Sequence, residues 1–150
     1  MPWVIAVILA SFFANRSGVL SLPLGDWVSY SVCAFLAIPG ILALGLGMKA
    51  CSLKVISGHD RSALVTHGIY SYIRNPICLS CVLLAFSAAI GFKSVAGLLV
   101  AILSLIAAYL HASLWEEREL ERRFGSEYCE YKRKVGMFIP KPRSVWNNLR

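Results

Sequence analysis

The chain has 150 residues, 57% of them hydrophobic, and a mean hydropathy of +0.64, which excludes an ordinary water-soluble domain. A formal charge of +7 would suit a nucleic-acid partner, but its placement argues against one. Thirteen of the fifteen Lys and Arg residues fall either between Met48 and Asn75 or from Glu116 onward, and only Arg16 and Lys93 lie elsewhere. That asymmetry is the one expected when those two segments face the cytoplasm and touch anionic lipid head groups.

The first apolar run, Met1 to Ala14, is interrupted by Asn15-Arg16 and lacks the charged start of a signal peptide. We read residues 1–22 as a first span that is short or tilted, with a turn at Pro23-Leu24-Gly25-Asp26. Residues 27–47 carry no charge and form the second span, with Trp27 and Tyr30 as interfacial anchors. Its inner half holds Pro39-Gly40 and Gly45-Leu46-Gly47, which serve either a kink with close helix packing or a near approach of a ligand to bare backbone.

Residues 48–75 form a cytoplasmic loop. His59 and His67 lie in it without a partner at metal-ligand spacing, so both are read as solvated and no metal site is expected. The loop ends in Asn75-Pro76, a helix start in which Asn caps free amides and Pro fills the first turn. Residues 76–92 and 94–115 are uncharged spans joined only by Lys93. So short a connection makes an antiparallel hairpin, which brings Asn75-Pro76 beside Trp115-Glu116.

From Glu116 the last helix should run on to a stop at Gly125, with Glu119 and Arg123 in the favourable i, i+4 order. Ser126 to Val135 reads as a shorter helix bearing Tyr128 and Tyr131, and Pro140 and Pro142 end regular structure. The basic tail that follows carries Trp146 and suits a membrane surface. The expected architecture is therefore an all-α integral membrane bundle of about four spans, one domain, with both termini cytoplasmic.

Three groups can carry chemistry. Glu116-Glu117 is either a solvated face or a functional pair, because Glu116 is the first charge after more than twenty uncharged residues. Arg74-Asn75-Pro76 is at least a helix cap and an inside anchor. The same helix start would also attract a carboxylate, with Tyr70 and Tyr72 offering aromatic surface to a base or a sulfonium. Cys78-Leu79-Ser80-Cys81 suggests redox or zinc chemistry, yet a reducing face and the lack of further ligands favour two packed small residues. His111 and Tyr109 are read as packing within the last span. The odd total of five cysteines argues against a disulfide framework.

Taken in order, these residues resemble the isoprenylcysteine carboxyl methyltransferases and their relatives, the phospholipid methyltransferases. The resemblance runs over roughly residues 60–140. It rests on Leu64-Val65-Thr66-His67-Gly68-Ile69-Tyr70, on Arg74-Asn75-Pro76-Ile77-Cys78, on Glu116-Glu117, and on Phe124-Gly125-Ser126-Glu127-Tyr128-Cys129-Glu130-Tyr131. It implies S-adenosylmethionine held by Ser62, Ala63, Leu64, Val65 and Tyr70, by Arg74, Asn75, Pro76, Ile77 and Cys78, and by Glu116 and Glu117.

The resemblance further implies a lipid-like or prenylated methyl acceptor entering from the lipid bilayer. Asn75 stands where the family has His and Cys78 where it has Tyr. His111-Ala112-Ser113 replaces a family basic residue linked to the acceptor. No catalytic residue follows from the pattern. Phospholipid N-methylation, a thiol oxidoreductase using Cys78 and Cys81, and a non-enzymatic scaffold are the alternatives. The short chain suggests a prokaryotic cytoplasmic membrane.

Overall fold

The computed structural model describes residues 21–50 and 64–142. They form α1 (Asp26–Ala50), a 3₁₀ turn (Gly68–Ser71), α2 (Pro76–Gly91), α3 (Val95–His111), a π turn (Ala112–Glu116), α4 (Glu117–Phe124) and α5 (Ser126–Lys134). Extended pairing among the described residues is limited to isolated bridges at Ser21–Ser94 and Ile73–Gly136. Nearly all of the expected first span lies outside the described residues, as do Cys51, His59, Ser62, Ala63 and Trp146.

The 25 residues of α1 cover the expected span 27–47 and extend past both its ends. Asp26 in its first turn and Lys49 in its last oppose the helix dipole in the stabilising sense. The last span also exceeds its expected bounds: Val95–Phe124 is continuously helical over 30 residues, so the apolar run passes straight into the charged stretch. By contrast α2 has 16 residues, about 24 Å of rise against a hydrocarbon layer of roughly 30 Å. Two described helices are thus long enough to cross a membrane, and α2 is a shorter apolar helix.

Only 17% of the apolar window of α1 and 28% of that in Val95–Phe124 is buried, which a helix at the centre of a soluble domain would not allow. Trp27, Phe35, Leu99 and Leu103 all stand exposed. Apolar side chains displayed in such number along helices of this length belong against lipid, and the molecule is a membrane protein.

The described residues divide into two compact units. The first, from 21–42 and 80–109, is held by small residues and hydroxyl groups. The fully buried Ser29 donates from Oγ to the Ile90 carbonyl at 2.6 Å, and the Ser87 hydroxyl donates to the Cys33 carbonyl at 3.0 Å. Ala85 and Ala101 lose all solvent contact, with Phe86 and Val100 packed around them. The connection between α2 and α3 is closed by an ion pair of Lys93 with Asp26, and Ser94 Oγ caps α3 by accepting from the Gly97 amide at 3.0 Å. The second unit, from 43–50, 64–79 and 110–142, carries the candidate site.

Candidate functional site

The segment before α2 satisfies part of its backbone within its own turn, at Tyr70, Tyr72 and Ile73, and takes its remaining partners from the C-terminal region. Gly68 opens the 3₁₀ turn at φ +62, a left-handed conformation in which a side chain would be strained. Beyond the turn, the Arg74 amide donates to the Gly136 carbonyl at 2.8 Å and the Asn75 amide to that of Met137 at 3.2 Å. The Tyr131 hydroxyl donates to the Tyr70 carbonyl at 2.7 Å. Burial, reinforced by Tyr128 beside it, pushes the Tyr131 phenol up, so it remains a donor.

This framework delivers an ionic cluster. Arg74 Nη1 lies 2.6 Å from Glu117 Oε1, and Lys132 Nζ lies 2.7 Å from Glu117 Oε2 and 2.8 Å from Glu121 Oε1. Only 9% of the Arg74 side chain and 5% of that of Glu117 remain exposed, so neither charge is sustainable without the other. Lys132, half in water, is pushed up to about 12 by its hydrogen bonds to Glu117 and then Glu121. The fully buried Tyr128 packs beside Arg74; burial first and the Glu117 charge second push its phenol up.

The cluster is charge-paired but not saturated in hydrogen bonds. Arg74 Nε and Nη1, Asn75 Nδ2 and Glu117 Oε1 are buried without a well-directed partner. The short Arg74–Glu117 contact is therefore an ion pair formed off the N–H direction. Unused donors on an arginine and an asparagine, side by side in sequence at the start of a helix, suit an anionic group with several acceptor oxygens.

Which carboxylate joins the cluster is decided by the π turn. Buried positions along α3 recur at Gly97, Ala101, Ser104 and Ala108, the α-helical spacing, and Ala112 continues it. The next α-helical position would be Glu116. The π turn adds one residue, the interval lengthens to five, and Glu117 becomes the buried carboxylate while Glu116 is exposed. The expected closeness of the two hairpin ends is present, but through Arg74 and Glu117.

Of the other expected site residues, Leu64 and Val65 are half-buried in the irregular lead to the 3₁₀ turn, and Tyr70 lies within that turn. Pro76 is fully buried and opens α2, followed by Ile77 and a buried Cys78. A side chain at Gly47 would come within 3.0 Å of Ile77 Cγ1, so this glycine serves helix approach, whereas Gly45 faces open space. Cys78 and Cys81 are free thiols, and among the described residues no group of three ligating side chains could hold a metal ion. His67 is exposed, and His111 stacks on Trp115 with ring centroids 5.8 Å apart. Lys132, Tyr131 and the Gly136-Met137 backbone were not visible as site components. Their partners lie far away in sequence, and no periodicity signals such pairing.

The model of the phospholipid methyltransferase family matches residues 17–127. The chain is 36% identical over 77 residues to methanethiol S-methyltransferase 1 of Bradyrhizobium diazoefficiens, covering 51% of this chain and 26% of that protein. It is 32% identical over 119 residues to the cobalt-zinc-cadmium resistance protein CzcN of Cupriavidus metallidurans, covering 78% of this chain and 53% of that protein. The chain thus spans about a quarter and about half of these two curated relatives. No solved structure matches it. With its apolar helices, its loop joined to an ionic cluster, and a family match over most of its length, the chain belongs to the phospholipid methyltransferase family.

Proposed function

We propose that the protein is an S-adenosylmethionine-dependent membrane methyltransferase. The observation that carries this reading is the pair of buried donors Arg74 Nε and Asn75 Nδ2, which have no hydrogen-bond partner at the start of α2, in a chain of a methyltransferase family. These donors fit the carboxylate end of the cofactor, and Glu117, held by Arg74 and Lys132, keeps the guanidinium in place. Leu64, Val65, Tyr70 and the Pro76–Cys78 turn are the remaining candidates for its walls; Ser62 and Ala63 stay candidates on sequence alone. S-adenosylmethionine would supply an electrophilic methyl group on a sulfonium.

The exposed apolar helix faces favour a lipid-like or prenylated acceptor arriving from the bilayer. A carboxylate acceptor is anionic at neutral pH and needs orientation and desolvation more than a base. A thiol is the second reading, favoured by the methanethiol S-methyltransferase relative, since a thiolate is also an anionic nucleophile. Phospholipid N-methylation, which the family description favours, would require an ammonium to lose its proton first. The cytoplasmic face of a prokaryotic cytoplasmic membrane is the proposed location.

The test is S-adenosylmethionine binding to the detergent-solubilised protein, beside Arg74→Gln and Asn75→Ala. We expect saturable binding, weakened about tenfold or more by each substitution, as for loss of charge-assisted hydrogen bonds. Absence of binding in a sample with native helix content, or indifference to Asn75→Ala and Arg74→Gln alike, overturns the reading. Methyl transfer to a prenylated cysteine, phosphatidylethanolamine or methanethiol then separates the acceptors.

A further inference from the structure

Arg74 Nε and Asn75 Nδ2 are closed off from solvent, and only 9% of the Arg74 side chain is exposed. A ligand as large as S-adenosylmethionine can meet donors so enclosed only after a covering segment moves. Two neighbours are unsuited to that movement. A side chain at Gly47 of α1 would come within 3.0 Å of Ile77 Cγ1, which is close packing along a 25-residue helix, and Glu117 projects from a stretch continuously helical over 30 residues.

Residues 135–141 are built differently. Val135 ends α5 in an extended conformation, φ −110 and ψ 137, and the backbone beyond it is irregular up to Lys141. The base of this segment is tied to α5, because Lys141 Nζ donates to the Lys132 and Arg133 carbonyls at 3.1 and 3.0 Å. Its tip rests on the loop through two hydrogen bonds, from the Arg74 amide to the Gly136 carbonyl and from the Asn75 amide to that of Met137. The tip is also a tight turn: a Cβ added at Gly136 would overlap the Ile139 carbonyl oxygen, so only glycine fits. Met137 and Phe138 are half-buried and Ile139 is 79% exposed, so modest apolar burial opposes lifting of the tip. The helix behind it is a fixed post, fastened by Tyr131 to the Tyr70 carbonyl and by Lys132 to Glu117.

We propose that residues 135–141 form a lid whose tip lifts to admit the anionic end of the cofactor to Arg74 and Asn75, then reseats over it. The proposal rests on the cofactor reading above. Segments held by a few backbone hydrogen bonds on a firm base open well below global unfolding. Lifting breaks the two pairs with Gly136 and Met137; reseating restores them while the side-chain donors keep the ligand carboxylate. Lys141 sets how readily the tip lifts, because without it the base is no longer tied to α5.

The experiment follows amide hydrogen exchange, resolved by residue, in the full chain in detergent, together with release of radiolabelled S-adenosylmethionine. Without ligand, the Arg74 and Asn75 amides should exchange at least tenfold faster than that of the fully buried Ala101. Saturation with S-adenosylmethionine should slow them tenfold or more, whereas saturation with methylthioadenosine, which has no carboxylate, should slow them less than twofold. Lys141→Met should speed release at least fivefold and Lys141→Arg should restore the native rate; Gly136→Ala, whose tip cannot close, should speed release at least as much. Saturable binding overturns the lid alone if exchange at Arg74 and Asn75 is no faster than at Ala101 or is unchanged by the cofactor. Equal slowing by methylthioadenosine, or native release rates in both Lys141→Met and Gly136→Ala, does the same. Absence of saturable binding at native helix content overturns the cofactor reading, and the lid with it.

Discussion

The two units of this molecule are held together by different physics. In the first, the fully buried contacts are alanine on alanine and serine hydroxyl on backbone carbonyl, with the large apolar side chains turned outward. Burying those side chains inside would gain little, because lipid is as apolar as the protein interior, so close approach of small residues does the joining. In the second, Arg74 and Glu117 are drawn out of water, and Lys132, still partly solvated, completes the polar cluster. The first unit is thus specified by shape and the second by charge, and the buried donors that suit a ligand occur in the second.

The largest effect is expected on the charged side. Glu117→Ala leaves Arg74 buried without its carboxylate and should cost about 3–5 kcal/mol in thermal or denaturant unfolding in detergent. Glu116→Ala, one residue away but exposed, should stay within about 0.5 kcal/mol. An equal cost for both would erase the distinction that the π turn makes. Next comes the small-residue side: Ala85→Leu has no space to occupy and should cost about 1–3 kcal/mol by overpacking. A neutral result there would mean that shape does not specify that unit.

The smallest effect is a pH dependence. Because the folded-state pKa of Lys132 is raised from 10.5 to about 12, its stabilisation is full below about 10.5 and is lost as pH rises through about 12. With 39% of the Lys132 side chain exposed, solvent screening holds this to about 1 kcal/mol or less. The stability gap between the native protein and Lys132→Met should therefore be flat up to about pH 10.5 and close above it. A gap that persists to pH 12 would assign Lys132 a packing role instead.

Much of the fold was legible because uncharged runs have few alternatives. The spans at 27–47 and 94–115, the stop at Gly125 and the Glu119–Arg123 pair all follow from composition and helical spacing, and all are present. The limits of such reading are equally physical. A strict helical period carries the buried face from Ala112 to Glu116, and no residue type announces the π turn that moves it to Glu117. Lys132 lies fifteen positions beyond Glu117 on a separate helix and reaches it only because Gly125, at φ +54, turns the chain between α4 and α5. The loop at 70–75 is legible as polar and turn-rich, but its backbone partners at 136–137 have no local signature.

That last pairing has a consequence for biosynthesis. Sixty-one residues separate Tyr131 from the Tyr70 carbonyl it binds, and Gly136 and Met137 emerge later still. While the helices enter the membrane one after another during translation, Arg74 and Asn75 must wait with unpaired amides for the end of the described chain to be synthesised. A ribosome stalled after Phe124 would hold a nascent protein with all its described apolar helices made and its ionic cluster incomplete. Completion of the cluster therefore belongs among the last steps of folding, after the described apolar helices are made.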